Sequence, residues 1–193
     1  MAKVRSIIDF NTDGLGRGFA LGGRYVLARE VKLEGLGQAF LADDTDAARQ
    51  VLAVVHRAAW VGDADSCARF EERARTLQSI EHANLATFLD FGIADGVAYA
   101  ILERLDGERL ADRLTRKQTL PIEDVVPILS QLLKALEHLH ARGLIARSLS
   151  PANLLLVNDG AHANVLRLMG AGLAELLHNQ EEPDEAALVT NRS

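Results

Sequence analysis

A chain of 193 residues, 48% hydrophobic and 25% charged, is long enough to bury a core as one domain or as one domain in two lobes. Its 27 acidic against 21 basic residues leave a formal net charge of −6, which excludes nucleic acid or an anionic membrane surface as the main partner, because both need a basic face. The single cysteine, Cys67, excludes an internal disulfide framework and suits a reducing compartment, so a cytoplasmic location is expected.

Residues 1–22 carry glycines in NTDGLGRGFALGG without clear periodicity and read as an N-terminal arm. Their first ten, MAKVRSIIDF, hold an apolar patch too short for a secretory signal. No apolar run in the chain reaches the length of about 18 residues that spans a bilayer. No membrane span is therefore expected within the chain, which leaves open that it belongs to a longer membrane protein. GLGRG lacks the preceding strand and following helix that a phosphate-binding loop requires.

Arg24 to Asp44 reads as two strands around Glu34-Gly35-Leu36-Gly37, and Gln50 to His56 as a third after a polar turn. Asp63 to Ile80 is helical, with Phe70, Ala74, Leu77 and Ile80 on one stripe and a cap at Asp63 or Asp65. Two further strands, LATFLDFGI and VAYAILERL, meet at Asp95-Gly96, a strong hairpin signal. GERLADRLTRK reads as a short helix. Ile122 to Arg142 reads as a longer one, with Val125, Leu129, Leu132, Leu136 and Leu139 inward, and a late start or a kink at Pro127. Gly143 ends it. A loop, a Leu-rich strand, a turn at Asn158-Asp159-Gly160, the strand VLRLM and the segment GAGLAELLHN follow, and 179–193 reads as an acidic tail.

The stretch HARGLIARSLSPANLLLV, His140 to Val157, resembles the catalytic loop of a protein kinase, usually His-Arg-Asp-Leu-Lys-Pro-x-Asn. RTLQSIEHANLATFLDFGIADGVAYAILERLDGERLADRL is similar to the bacterial Ser/Thr kinase pattern in its apolar and turn positions. The resemblance runs from about Gly22 to Ala174. It implies an α+β, protein kinase-like fold, with a five-stranded antiparallel small lobe over 23–105 and a partial, mainly helical large lobe over 106–178.

Carried over residue by residue, the resemblance implies a loss of chemistry. The Gly-rich loop aligns with Lys32, Glu34, Gly37 and Ala39, so Gly37 remains with Gly35 beside it, and the loop is expected to be an ordinary hairpin. Val54 stands where the family has the phosphate-binding Lys, and Arg73 where it has the helix Glu. Ser148 and Ser150 replace the catalytic Asp and the Lys of the loop, and Gly170 the metal-binding Asp. Leu52 replaces a small Ala that roofs the adenine pocket. Ala146 and Ala171 replace a His and a Phe, which implies a hollow apolar column beside Leu77. The remnants implied for nucleotide binding are Gly35, Gly37, His56, Glu103 and Asn153. For Asn153 the ordinary role is holding the loop backbone, and for Ser148 and Ser150 it is capping it.

Loss of a general base alone typically costs ~10²–10⁴-fold in rate. The resemblance with these losses implies no enzyme, no cofactor (neither ATP nor Mg²⁺) and no metal site. The expected function is a catalytically inactive pseudokinase acting as a protein-interaction or regulatory module, with a protein partner or self-association. The alternatives are an atypical phosphotransferase or weak nucleotide-binding domain, and a structural domain stabilised by oligomerisation or by a partner.

Overall fold

The computed structural model describes residues 15–56, 61, 63–158, 160 and 164–178. The expected tail and residues 1–14 of the expected arm lie outside the described residues. Strands β1 (Ala20–Leu21), β2 (Tyr25–Val31), β3 (Gln38–Asp44), β4 (Arg49–His56), β5 (Phe88–Ala94) and β6 (Val97–Glu103) form one antiparallel sheet in the order β1-β2-β3-β4-β6-β5. The five expected strands are present. A sixth, β1, comes from the segment read as an arm, because fully buried Leu21 anchors it beside β2.

Strand β4 lies between two apolar layers. Leu52 and Val54 face a cluster that contains Phe70, Ala74 and Leu77, whereas Val51, Ala53 and Val55 face one that contains Leu21, Tyr25, Leu27 and Phe40. Alternate side chains of a strand point to opposite faces, so a strand covered on both reads as an unbroken apolar run. Helix α1 (Ala64–Gln78) supplies the first layer, and the Asp63 carboxylate starts it by accepting from the Ser66 N–H at 2.8 Å. Between β5 and β6, Asp95 and Gly96 both take positive φ, the geometry a two-residue hairpin needs.

At the end of β3, the Asp44 carboxylate is 1% exposed and receives Arg24 through Nε at 2.7 Å and Nη2 at 3.0 Å. It also accepts from the backbone N–H groups of Asp46 and Ala47, which builds the β3–β4 turn. The Arg24 hydrogen bonds hold its pKa down to about 2. A folded-state pKa below the unfolded one gives stability that is complete above the unfolded value and lost as pH falls. Stability is therefore expected to drop between about pH 4 and pH 2, and Asp44→Asn is expected to flatten that limb in urea melts run at stepped pH. An unchanged limb would show that Asp44 is not its source.

The large-lobe portion holds β7 (Gly107–Arg109), α2 (Leu110–Lys117), α3 (Ile122–His140), a 3₁₀ turn (Pro151–Asn153), β8 (Leu154–Val157), β9 (Val165–Leu168) and α4 (Leu173–His178). The segment read as one helix from Gly107 begins instead as a strand, since Gly107–Arg109 pair with Val157–Leu155. A Cβ at Gly107 would lie 2.6 Å from the Leu156 carbonyl oxygen, so the close approach requires glycine. Helix α3 starts at Ile122 with Pro127 inside it, not late. Its buried stripe is Ile128, Leu132, Ala135 and Leu139, and Leu129 points outward, contrary to expectation.

The column beside Leu77 is filled, not hollow. Leu173, Leu176 and Leu177 of α4 are buried in the cluster that joins Leu77 to Leu139, Leu154, Leu166 and Leu168. One apolar cluster thus runs through both lobes. At the α1 end of the β5 connection, His82 stacks on His138 of α3 with ring centroids 4.8 Å apart. Burial, then the neighbouring His138, Arg142 and Lys134, lower the His82 pKa. Among the described residues no helix is long and apolar enough to cross a membrane.

Candidate nucleotide cleft

The turn between β2 and β3, residues 32–37, lies against the loop 148–153 that leads into β8. Asn153, fully buried, holds the turn in both directions: its Oδ1 accepts from the Glu34 N–H at 3.1 Å, and its Nδ2 donates to the Glu34 carbonyl at 2.8 Å. The same Nδ2 donates to the Ser148 carbonyl at 2.8 Å, so one carboxamide ties its own loop and the opposite turn together. Ser148 Oγ donates to the Gly35 carbonyl at 3.1 Å. Ser150 Oγ donates to the Glu34 carboxylate and accepts from the Ala152 N–H, capping the 3₁₀ turn.

Leu36 sits at the tip of the turn and is fully buried. A Cβ built on Gly170 would lie 2.3 Å from Leu36 Cδ1, so the Leu36 side chain occupies the space beside Gly170. Positive φ at Gly35 and Gly37 bends the turn inward. At Gly37, whose φ is +87°, a Cβ would also sit a tight 3.1 Å from the Val55 carbonyl oxygen, so backbone conformation and space both favour glycine.

The other residues singled out lie as follows. Val54 is fully buried on β4, opposite Ala39 and Ala100. Arg73 lies on the exposed side of α1 beside buried Ala74. His56 ends β4, opposite Ala98, and its Nδ1 lies 4.0 Å from a Cβ built on Gly37. Glu103 accepts from the Thr87 N–H at 2.7 Å and Oγ1–H at 2.8 Å, and pairs with Arg167 of β9. Burial pushes its pKa up, but the Thr87 hydrogen bonds and the Arg167 cation outweigh this, and the net shift is downward. Glu103 therefore braces the joint between the lobes. Ser148, Ser150, Asn153, Gly35 and Gly170 come together around the turn, whereas Glu103 is engaged with Thr87 and Arg167.

Sequence reasoning missed the turn itself. The residues read as an ordinary hairpin join β2 to β3 and are also clamped to the loop 148–153 through Glu34, with Leu36 seated beside Gly170. The available signal was Leu36 between two glycines, an apolar side chain at a turn tip where solvent is the default neighbour.

The kinase resemblance brings Mg²⁺ and ATP into question, and the residues present can be tested against them. Val54 and Gly170 offer neither the cation for phosphates nor the carboxylate for a metal, and Asn153 spends its carboxamide on Glu34 and Ser148. Leu36 fills the volume next to Gly170. In this conformation the cleft does not fit the group.

The sequence model described as protein kinase domain matches residues 47–192. The chain belongs to the protein kinase domain family. This kinase-family chain is 31% identical over 170 residues to the serine/threonine-protein kinase pkn2 of Myxococcus xanthus, covering 88% of itself and 20% of that protein. It is 32% identical over 148 residues to the serine/threonine-protein kinase PknA of Mycobacterium tuberculosis, covering 74% of itself and 34% of that protein. It thus spans about a fifth to a third of the length of these curated relatives. The crystal structure of the M. tuberculosis PknI kinase domain, as a C20A_R136A double mutant, superposes with a TM-score of 0.69 at 22% identity, covering 82% of this chain and 62% of that one. This likeness bears on the fold alone, and the expected kinase-like α+β architecture is what it shows.

Two expectations fall with family membership. The lost residues led to a reading of no enzyme and no cofactor, but relatives at this identity are named serine/threonine-protein kinases. The class is a phosphotransferase class that works with ATP and Mg²⁺. The substitutions at Val54, Arg73, Ser148, Ser150 and Gly170 therefore do not carry a reading of no enzyme and no cofactor.

Proposed function

We propose that this kinase-family chain works in the cytoplasm as a regulatory, protein-binding module whose nucleotide cleft is closed by its own β2–β3 turn. The observation that carries the reading is the two-way clamp of the Asn153 carboxamide on Glu34, with Leu36 seated beside Gly170. A turn held in this way competes with any nucleotide for the same space. The competition makes access to the cleft a property that a partner sets by pulling the turn away or leaving it in place. The large exposed apolar side chains among the described residues all fall between Ile122 and Leu149, and Leu149, between the two serines that hold the turn, gives such a partner a place to bind beside it.

Calorimetric titration of ATP with and without Mg²⁺ into the wild-type chain and into Leu36→Ala tests the proposal. Opening the cleft is expected to raise nucleotide affinity at least about tenfold, a shift of roughly 1.4 kcal/mol. Equal, tight Mg-ATP binding by both proteins, with phosphate transfer by the wild type in the ordinary kinase range of about 1–100 s⁻¹, would sink it.

A further inference from the structure

We propose that the stacked pair His82 and His138 is a proton-operated release at the joint between the lobes: a proton taken from solvent by His82 loosens the segment 82–86 from α3 and β9. This segment connects α1 to β5 and is tied to the large-lobe portion. Asn84 Nδ2 donates to Gln131 Oε1 of α3 and to the Leu166 carbonyl of β9, both at 2.9 Å. The Asn84 carbonyl accepts from the Leu168 N–H at 2.8 Å, and the Ala86 N–H donates to the Leu168 carbonyl at 3.0 Å. Within the segment, His82 Nδ1 accepts from the Asn84 N–H at 3.1 Å.

That last bond fixes where the protons sit. An accepting ring nitrogen carries no hydrogen, so neutral His82 bears its proton on Nε2. A second proton has to enter at Nδ1, the atom that faces the Asn84 N–H. Imidazolium has no acceptor left, so charging His82 turns a hydrogen bond into a contact between two donors.

The surroundings oppose the charge as well. His138 stacks on the ring from α3, and its Nε2 is buried without a hydrogen-bond partner among the described residues. Lys134 of α3 and Arg142 just past it act on His82 in the same direction, and no carboxylate is among the groups that shift it. Arg167 of β9 donates to the Ala83 carbonyl, with its own charge met by Glu103. Glu81, the chain neighbour, and His140, the last residue of α3, are exposed. The folded state thus disfavours the proton. Its contribution to stability is complete above about pH 6.5, the ordinary histidine value, and is lost as pH falls below it. None of these residues takes part in the cleft clamp, so the release can fail while the cleft reading stands.

NMR of the histidine ring nitrogens and amide hydrogen exchange, both on the full chain from about pH 7.5 to about pH 5.5, test this. His82 is expected as the Nε2–H tautomer at the upper pH, with a titration midpoint below about 6.5. Protection at the Asn84 and Leu168 amides, corrected for intrinsic exchange, is expected to fall at least about threefold at the lower pH. His82→Asn keeps an acceptor for the N–H two residues on and does not titrate, so its protection is expected to be the same at both pH values. An Nδ1–H tautomer or an ordinary midpoint overturns the proposal. So does wild-type protection that ignores pH, or an equal fall in His82→Asn.

Discussion

Asn153→Ala is expected to lower stability by about 2–4 kcal/mol and to free the β2–β3 turn. The side chain is fully buried and makes three hydrogen bonds, to the Glu34 N–H, the Glu34 carbonyl and the Ser148 carbonyl. A buried polar group left without its partner costs about 1–3 kcal/mol, and water entering the gap recovers part of the sum. Asn153→Asp keeps the shape but points acceptors at two carbonyl oxygens, so it is expected to do no better than alanine. Urea denaturation gives the energy, and amide hydrogen exchange at Glu34 gives the location. Faster exchange at Glu34 with unchanged protection in β4 is the expected pattern. Loss of protection throughout the sheet would mean that Asn153 supports the fold at large and not the clamp.

Gly170→Ala is expected to cost about 2–5 kcal/mol. The residue sits at φ +66°, where a side chain adds roughly 1–3 kcal/mol of strain. The new methyl group would also meet Leu36 Cδ1 at 2.3 Å, and overpacking of this kind costs about 1–3 kcal/mol. Leu36→Ala alone is expected to cost about 2–4 kcal/mol through the cavity it leaves. Combined, the two substitutions relieve the clash, so the double variant is expected to lose less than the sum by at least about 1 kcal/mol. Additive losses in the denaturation midpoints would show that Leu36 does not occupy the space beside Gly170.

Both experiments probe one arrangement, a turn held by Asn153 whose Leu36 side chain fills the space beside Gly170. The position of Gly170 then has a physical reason: any side chain there competes with Leu36. Val54, fully buried on the α1-facing side of β4, likewise belongs to the apolar core that joins the lobes.

Much of the fold was legible along the chain. Strand β4 announced itself by an apolar run, α1 by a stripe ending at Ile80, and the β5–β6 turn by Asp95-Gly96, because local backbone preference and burial pattern act over a few residues. The edge strand β1 was not legible, since two residues carry too little pattern and only Leu21 in the assembled core holds them. The inward and outward faces of α3 were confused at Leu129 because both faces are apolar, and periodicity alone does not say which one the lobe covers.

The sequence by itself pointed to the family, the order of the elements apart from β1 and β7, and which motif positions lack their usual charges, for these follow from residue type and spacing. It pointed too to Asn153 and Ser150 serving the loop backbone, through the Ser148 carbonyl and the Ala152 N–H. Only the tertiary structure decided that they also reach across to Glu34, that Ser148 turns to Gly35, and that α4 fills the column beside Leu77. Contacts between residues more than a hundred positions apart depend on how the two lobes close on each other, and that closure is set by the whole core, not by any local run of residues.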